Sequence, residues 1–272
     1  MDISLSVAEH AKKYNIHPNK TLGQNFILDI NFCSKLIKHE SIEGANVIEI
    51  GPGIGGMTRA ILARNPKKLI CIEKDKRCIG ILKDLQKKYN QLEFIEGDAL
   101  LCLSKAIESL ENVIIVSNLP YNVGTRIVIN ILELQLKFKN ITSMTFMLQK
   151  EVVDRMISDY NKKTYSQLSI LIQSICNAKL IMNVSPKNFY PEPKVSSAII
   201  HLRPKHELNF NIEFFNMLKQ VLFAAFSKRR KIIKTSLAKY LKYVPESMHL
   251  LRPEQIRQKD YINIIANIFL LN

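Results

Sequence analysis

Hydrophobic and polar positions along this 272-residue chain follow two distinct rhythms. Short apolar runs bounded by turn residues fall at 46–50, 68–72, 92–95, 113–117 and 143–148, and segments of helical periodicity at 57–64, 76–89, 105–110 and 123–136 lie between them. Parallel strands cannot be joined by a tight turn, so a strand, a crossover helix and a second strand make the βαβ unit that this alternation predicts. The expectation is an α/β domain built on a parallel sheet. After the fifth run the rhythm changes: 165–174 reads as a helix, and strand-like runs at 175–184 and 195–202 flank a Pro-rich loop, 185–194. That arrangement fits an antiparallel hairpin reversing the sheet edge. From Arg203 onward only short helical patterns remain, at 212–226, 229–240, 253–257 and 260–270. We expect two domains, 1–203 and an all-helical 204–272, with the first forty residues forming an arm and a helix ahead of the sheet.

Composition narrows the function classes. Hydrophobic residues at 47% and charged residues at 23% are ordinary for a folded chain, and 9 Gly with 10 Pro are too few for a collagen-like or disordered one. No apolar run reaches the ~20 residues of a spanning helix. Asp2 stands where a signal peptide carries its positive end, so the expected address is cytoplasmic, with no membrane partner. Cys33, Cys71, Cys78, Cys102 and Cys176 contain no C-x-x-C pair and read as reduced core thiols. The six histidines lack metal-ligand spacing, and no metal is expected. Net charge changes the picture most: +15 is well beyond what solubility asks of a small domain, and 201–272 carries 13 basic against 5 acidic residues. A Lys-, Asn- and Ile-rich composition is the bland explanation; an anionic partner, nucleic acid before an acidic metabolite, is the functional one.

Candidate chemistry sits at strand ends. Gly51, Gly53, Gly55 and Gly56 follow the first strand and precede a helix, where the backbone must turn tightly or approach a ligand. Glu73 ends the second strand, placed to accept both hydroxyl protons of a ribose. Dinucleotide and S-adenosylmethionine enzymes share this arrangement. Glu49, just before the glycines, suits a cationic sulfonium better than a pyrophosphate. Asp98, after the third strand, reads either as an acceptor for an adenine amino group or as a helix N-cap. Asn118-Leu119-Pro120-Tyr121 comes directly off the fourth strand. An exocyclic adenine amine is a poor nucleophile because its lone pair is delocalised into the ring. The Asn118 side-chain oxygen and the Leu119 carbonyl suit the task of holding its N–H groups, Pro120 fixes the turn, and Tyr121 offers a face for stacking on an unstacked base.

These residues carry a resemblance that runs nearly end to end. Leu22-Gly23-Gln24-Asn25-Phe26, Ile48-Glu49-Ile50-Gly51-Pro52-Gly53, Asn118-Leu119-Pro120-Tyr121-Asn122, Phe146-Met147-Leu148-Gln149-Lys150-Glu151-Val152, Phe189-Tyr190-Pro191-Glu192-Pro193-Lys194-Val195 and Phe226-Ser227-Lys228-Arg229-Arg230-Lys231 occur in the order seen in the KsgA/RsmA family of small-subunit ribosomal RNA adenine N6,N6-dimethyltransferases, which the chain resembles. The resemblance implies a Rossmann-like S-adenosylmethionine-dependent methyltransferase sheet with a small C-terminal helical domain, acting on two adjacent adenosines in a hairpin near the 3′ end of 16S rRNA. It implies cofactor contacts at Asn25, Ile27, Gly51, Gly53, Glu73, Asp98 and Asn118, with Asn118 and Tyr121 also handling the adenine. Phe189 would be a second aromatic against the flipped base; a core-facing ring is its structural alternative. Lys228, Arg229, Arg230, Lys231 and Lys234, near the start of a predicted helix, would contact RNA phosphates, against the alternative of a solvated face. Arg126 and Lys150 are candidates for steering phosphates toward the reaction edge. The expected partner is 16S rRNA within the small subunit or its precursor, and the expected state a monomer. Ser196 stands where the family often has Asp, Ile27 where Leu is usual, and Gly55 and Gly56 where other small or apolar residues are common. Rival readings are an erythromycin-resistance-type 23S rRNA methyltransferase, a non-catalytic assembly or nucleic-acid-binding factor on the same fold, and a nicotinamide dehydrogenase, which would leave Asn118 to Tyr121 without a purpose.

Overall fold

A computed structural model of the chain describes residues 6–205, 210–228 and 230–271. Among them, β1 (Asn46–Ile50), β2 (Lys68–Glu73), β3 (Leu92–Glu96), β4 (Val113–Asn118), β5 (Ile141–Gln149), β6 (Cys176–Val184) and β7 (Ser197–Pro204) form one sheet in the order β3-β2-β1-β4-β5-β7-β6. The first five pair in parallel and β7 runs antiparallel to β5, so the edge is reversed as the sequence pattern predicts. Side chains of β1, β2 and β4 are buried almost without interruption. That is what a strand needs when helices cover both faces of a sheet, and it explains runs such as Val113-Ile114-Ile115-Val116 that do not alternate with polar residues. Helices α2 (Ile30–Leu36) and α3 (Gly56–Leu62) pack on each other, as do α5 (Ala99–Glu108) and α6 (Gly124–Phe138). Each fully buried Ile or Leu here contributes roughly 1.5–3 kcal/mol by leaving water.

Local signals set the boundaries. Asp29 and Asp98 cap α2 and α5 by accepting from backbone N–H groups at the helix starts, and α6 ends at Lys139 in the left-handed conformation, with φ 56°. The expected helix at 76–89 is divided: a 3-10 turn at Lys76–Cys78 precedes α4 (Ile79–Gln86). Helix α1 (Val7–Lys13) opens the described chain on a capping box between Ser6 and Glu9.

Contacts divide the chain into two units, and the division departs from 1–203 and 204–272. The first unit holds residues up to Val153 together with Lys179–Pro204, whereas the second holds Asp154–Ala178 with Lys205–Asn272. After α7 (Lys150–Met156), helix α8 (Gln167–Ile175) packs within the second unit on α9 (Ile212–Ser227) and α11 (Gln258–Leu270), where the rings of Tyr165, Phe226 and Tyr261 meet. The apolar surface of 165–174 therefore serves the helical unit. The helix expected at 229–240 is absent from the described residues: Lys228, Arg230 and Lys231 occupy an exposed turn, α10 is only Ile233–Ser236, and a 3-10 segment, Ala238–Tyr243, follows. Four adjacent cations repel one another, which opposes extending a helix through them. Arg229 itself lies outside the described residues.

Candidate active site

Strand order reverses between β1 and β4, because the chain runs outward from β1 to β3 and then returns to β4 on the other side. At such a point neighbouring crossovers leave on opposite faces, and a crevice opens beyond the carboxyl ends of the strands. A cavity of about 360 Å³ occupies it in the first unit. Asn25, Ile27, Gly51, Gly53, Glu73, Asp98, Asn118, Leu119, Pro120 and Tyr121, far apart in the sequence, all line this one cavity, and so does Arg126.

Each wall has a local cause. Gly51 leaves β1 at φ +66°, a conformation that disfavours any Cβ, and a Cβ built there meets nothing within 4 Å, so the backbone borders open space. At the end of β2, Glu73 is 5% exposed; its Oε2 accepts from the Gly53 N–H at 2.8 Å and its Oε1 from the Asp75 N–H at 2.7 Å. The two donors fix the carboxylate plane and leave a free lone pair on each oxygen. Burial pushes the Glu73 pKa up, with the N–H donors opposing it. Glu49, inside β1 and 1% exposed, is pushed by burial up to about 7. Asp98 is the helix N-cap and also lines the cavity. One oxygen caps α5 through the Leu100 N–H at 3.0 Å, and the other takes Lys74 Nζ at 2.9 Å, an ammonium that holds the carboxyl below its usual range. Glu49, Glu73, Asp75 and Asp98 face the cavity against Lys74 and Arg126, an acidic lining that repels a pyrophosphate and favours a cation.

At the end of β4 the Leu119 N–H bonds the Met147 carbonyl at 3.1 Å, and the Pro120 carbonyl accepts the Gly124 N–H at 2.8 Å to start α6. Asn118 Nδ2 donates to the Asn25 carbonyl at 3.2 Å, so its donor end is tied back and its oxygen is left as an acceptor. Tyr121 is half-buried, and its hydroxyl meets Ser197 Oγ at 2.5 Å.

The arm forms the cover. Gln24 Nε2 donates to Asp75 Oδ2 at 2.7 Å, while Gln24 Oε1 accepts from the Asn19 N–H at 2.9 Å and from Arg77 at 3.2 Å. Two reciprocal backbone bonds of 2.8 Å join Phe26 to Tyr190, linking the Leu22-to-Phe26 motif to the late Pro-rich loop. Gly56 lets the arm approach, since a Cβ there would lie 2.7 Å from the Ile27 carbonyl oxygen. The roles of Asp75, Arg77 and Ser197 carry no sequence signal of their own, because each acts through a partner tens of residues away.

Other expectations are relocated. Phe189 is 6% exposed within the hydrophobic core and does not line the cavity, so its ring has the core-facing alternative; the adjacent Tyr190 is exposed. Lys228, Arg230, Lys231 and Lys234 are exposed on the second unit. Histidines that look scattered in sequence converge at one point: His39 and His201 flank Glu40, whose carboxylate also accepts from the hydroxyls of Ser143 at 2.6 Å and Thr145 at 2.5 Å. Cys33, Cys71, Cys78 and Cys176 are buried, Cys102 is partly exposed, and all five are free thiols.

The family described as ribosomal RNA adenine dimethylase matches residues 15–267, nearly the whole chain. The chain belongs to the ribosomal RNA adenine dimethylase family. Proteins called ribosomal RNA small subunit methyltransferase A are similar throughout: that of Ruegeria sp. (strain TM1040) is 34% identical over 263 residues, covering 94% of this chain and 93% of the relative. The Wolbachia pipientis wMel protein is 39% identical over 232 residues, covering 83% and 78%. Among solved structures, a dimethyladenosine transferase from Plasmodium falciparum shares the fold with a TM-score of 0.71 at 24% identity, covering 90% of this chain and 98% of its own. The 23S rRNA methyltransferase ErmE shares it at 0.66 and 20% identity, covering 90% and 100%. Adenine dimethylases of this family and fold are enzymes that use S-adenosylmethionine as methyl donor. Among the described residues no helix is long and apolar enough to cross a membrane.

Proposed function

We propose that this chain transfers methyl groups from S-adenosylmethionine to N6 of two adjacent adenosines in a hairpin near the 3′ end of 16S rRNA, during assembly of the small ribosomal subunit. The observation that carries the reading is that the glycine turn, the buried acids and the Asn118-to-Tyr121 turn open into one cavity. The donor set fits the cofactor. Glu73 offers two fixed acceptor oxygens to a ribose, the Gly51 backbone borders open space, and Glu49 presents a buried carboxyl to a cation. When bound there, S-adenosylmethionine supplies an already activated methyl group.

The chain's own task is alignment. Asn118, with its amide nitrogen tied to Asn25, turns its oxygen to the adenine amine, and the Leu119 carbonyl is the second acceptor. Holding both N–H groups localises the amine lone pair toward the incoming carbon. The Tyr121 ring stacks on the base once it has left its helix. Each of these roles is filled without a metal. Lys228, Arg229, Arg230, Lys231 and Lys234 contribute phosphate contacts, so binding weakens steeply with salt. The enzyme acts as a cytoplasmic monomer.

Labelled-methyl transfer to isolated unmethylated subunits, followed by nucleoside mass spectrometry, tests the assignment. N6,N6-dimethyladenosine in small-subunit RNA is expected. Label confined to large-subunit RNA would overturn the substrate, and tight subunit binding without label would make the chain an assembly factor.

A further inference from the structure

Tyr121 is held at its far end by a residue outside the cavity. Ser197 is the first residue of β7, is 0% exposed, pairs in register with Gln149 of β5, and is absent from the cavity lining. Its Oγ lies 2.5 Å from the Tyr121 hydroxyl. Nothing in the fold requires these two hydroxyls to meet: the fourth-strand loop is already tied to β5 through the Leu119 N–H and the Met147 carbonyl. The backbone anchor fixes where the Tyr121 Cα sits but leaves the ring free about its first side-chain torsion, whose staggered wells are far apart. A hydroxyl anchor at the opposite end of the ring removes that freedom. The reversed edge of the sheet supplies it, and the loop preceding β7 is the one that Tyr190 joins to the arm.

We infer that Ser197 is a positioning residue for methyl transfer, its hydroxyl fixing the direction in which the Tyr121 ring points and so the place where the target adenine rests. The inference rests on the base-stacking role of Tyr121 proposed above. Burial keeps the phenol pKa above its ordinary value, so the pair stays hydroxyl to hydroxyl at neutral pH. Because the anchor organises the bound base rather than adding a contact to it, its loss should fall on kcat more than on the KM for RNA.

The test is a double-mutant cycle on the full chain with unmethylated small subunits, in which S-adenosylmethionine affinity and thermal unfolding are measured for every variant. Ser197→Ala and Tyr121→Phe each break the same bond while keeping the ring. Each is expected to lower kcat about tenfold, and the double variant also about tenfold, because the second change has nothing left to remove. Ser197→Thr, which keeps the hydroxyl, should recover most of the rate, and cofactor affinity should stay within about twofold in Ser197→Ala. A loss near a hundredfold in the double variant, or a wild-type rate in either Ser197→Ala or Tyr121→Phe, overturns the inference. Should Ser197→Ala fold poorly, Tyr121→Phe decides alone: an unchanged kcat overturns the inference and a tenfold loss supports it. Tyr121→Ala separates the two levels. If it keeps full activity, the base-stacking role falls and the inference with it; if it is inactive while Ser197→Ala is normal, only the inference falls.

Discussion

Glu49 provides a quantitative handle on the cofactor site. Its carboxyl is buried in β1, facing the cavity near Glu73, and burial pushes it up to about 7. In the empty site it is therefore mostly protonated at pH 6 and mostly ionised at pH 7.5. A sulfonium beside it favours the ionised form, so binding must draw a proton off the carboxyl wherever it is still protonated. With a free pKa of about 7 the ionised fraction rises from about 9% at pH 6 to about 76% at pH 7.5. Affinity for S-adenosylmethionine should then rise about eightfold across that interval, or ~1.2 kcal/mol at 1.36 kcal/mol per decade. Calorimetry at pH 7 in two buffers of different ionisation enthalpy should detect release of about half a proton per cofactor bound. Glu49→Gln keeps the size and removes the charge, so it should flatten the pH profile and weaken binding at pH 7.5 by at least about tenfold. S-adenosylhomocysteine, which lacks the sulfonium, should give a shallower profile with the wild type. An unchanged slope in Glu49→Gln, or affinity that rises toward pH 6, would refute the reasoning.

Three further perturbations probe the parts that hold the site. Gln24→Ala removes the bonds to Asp75 and Arg77, about 1–2 kcal/mol of arm docking, and should speed cofactor release about tenfold in stopped-flow measurements. Gly56→Ala sets a methyl against the Ile27 carbonyl, so limited proteolysis should cut the arm faster and stability should fall by roughly 1–3 kcal/mol. Around Glu40, burial raises the pKa but hydrogen bonds from His201, Ser143 and Thr145 outweigh it and leave the carboxyl below its usual range. That stabilisation is present above the unfolded pKa and is lost as pH falls through the lower folded value. Glu40→Ala should therefore cost about 2–3 kcal/mol in denaturant titrations at pH 7, with the difference from wild type shrinking below pH 4.

The sequence was most legible where one physical requirement dominates. Uninterrupted apolar runs predict buried parallel strands because a sheet covered on both faces permits little else, and Gly51 marks a left-handed turn that few other residues adopt. Asn118 and Tyr121 could be placed because they follow a strand directly, and strand ends open at a known edge of such sheets. Residues whose environment depends on distant chain were harder. Phe189 offers the same hydrophobic side chain to a base or to the core, and only the packing around it distinguishes the two. The segment 165–174 is helical in either unit, so its periodicity could not assign it to the second. A dense cationic run such as Lys228 to Lys231 has helix-compatible spacing, and nothing local shows that Lys228, Arg230 and Lys231 sit beyond the end of α9 in exposed backbone. β5 and β7 pairing sets Thr145 beside His201, and His39 and Glu40 reach them from the turn after α2, a meeting of three distant segments that no local pattern encodes.

A crystal structure with S-adenosylhomocysteine bound would test most directly whether donor and acceptor sites share a single hollow. Expected are ribose hydroxyls on Glu73, the adenine edge near Asp98, and the sulfur turned toward Asn118 and the Tyr121 ring. A ligand bound elsewhere, or one in the cavity whose sulfur points away from Asn118 behind a closed wall, would contradict this expectation.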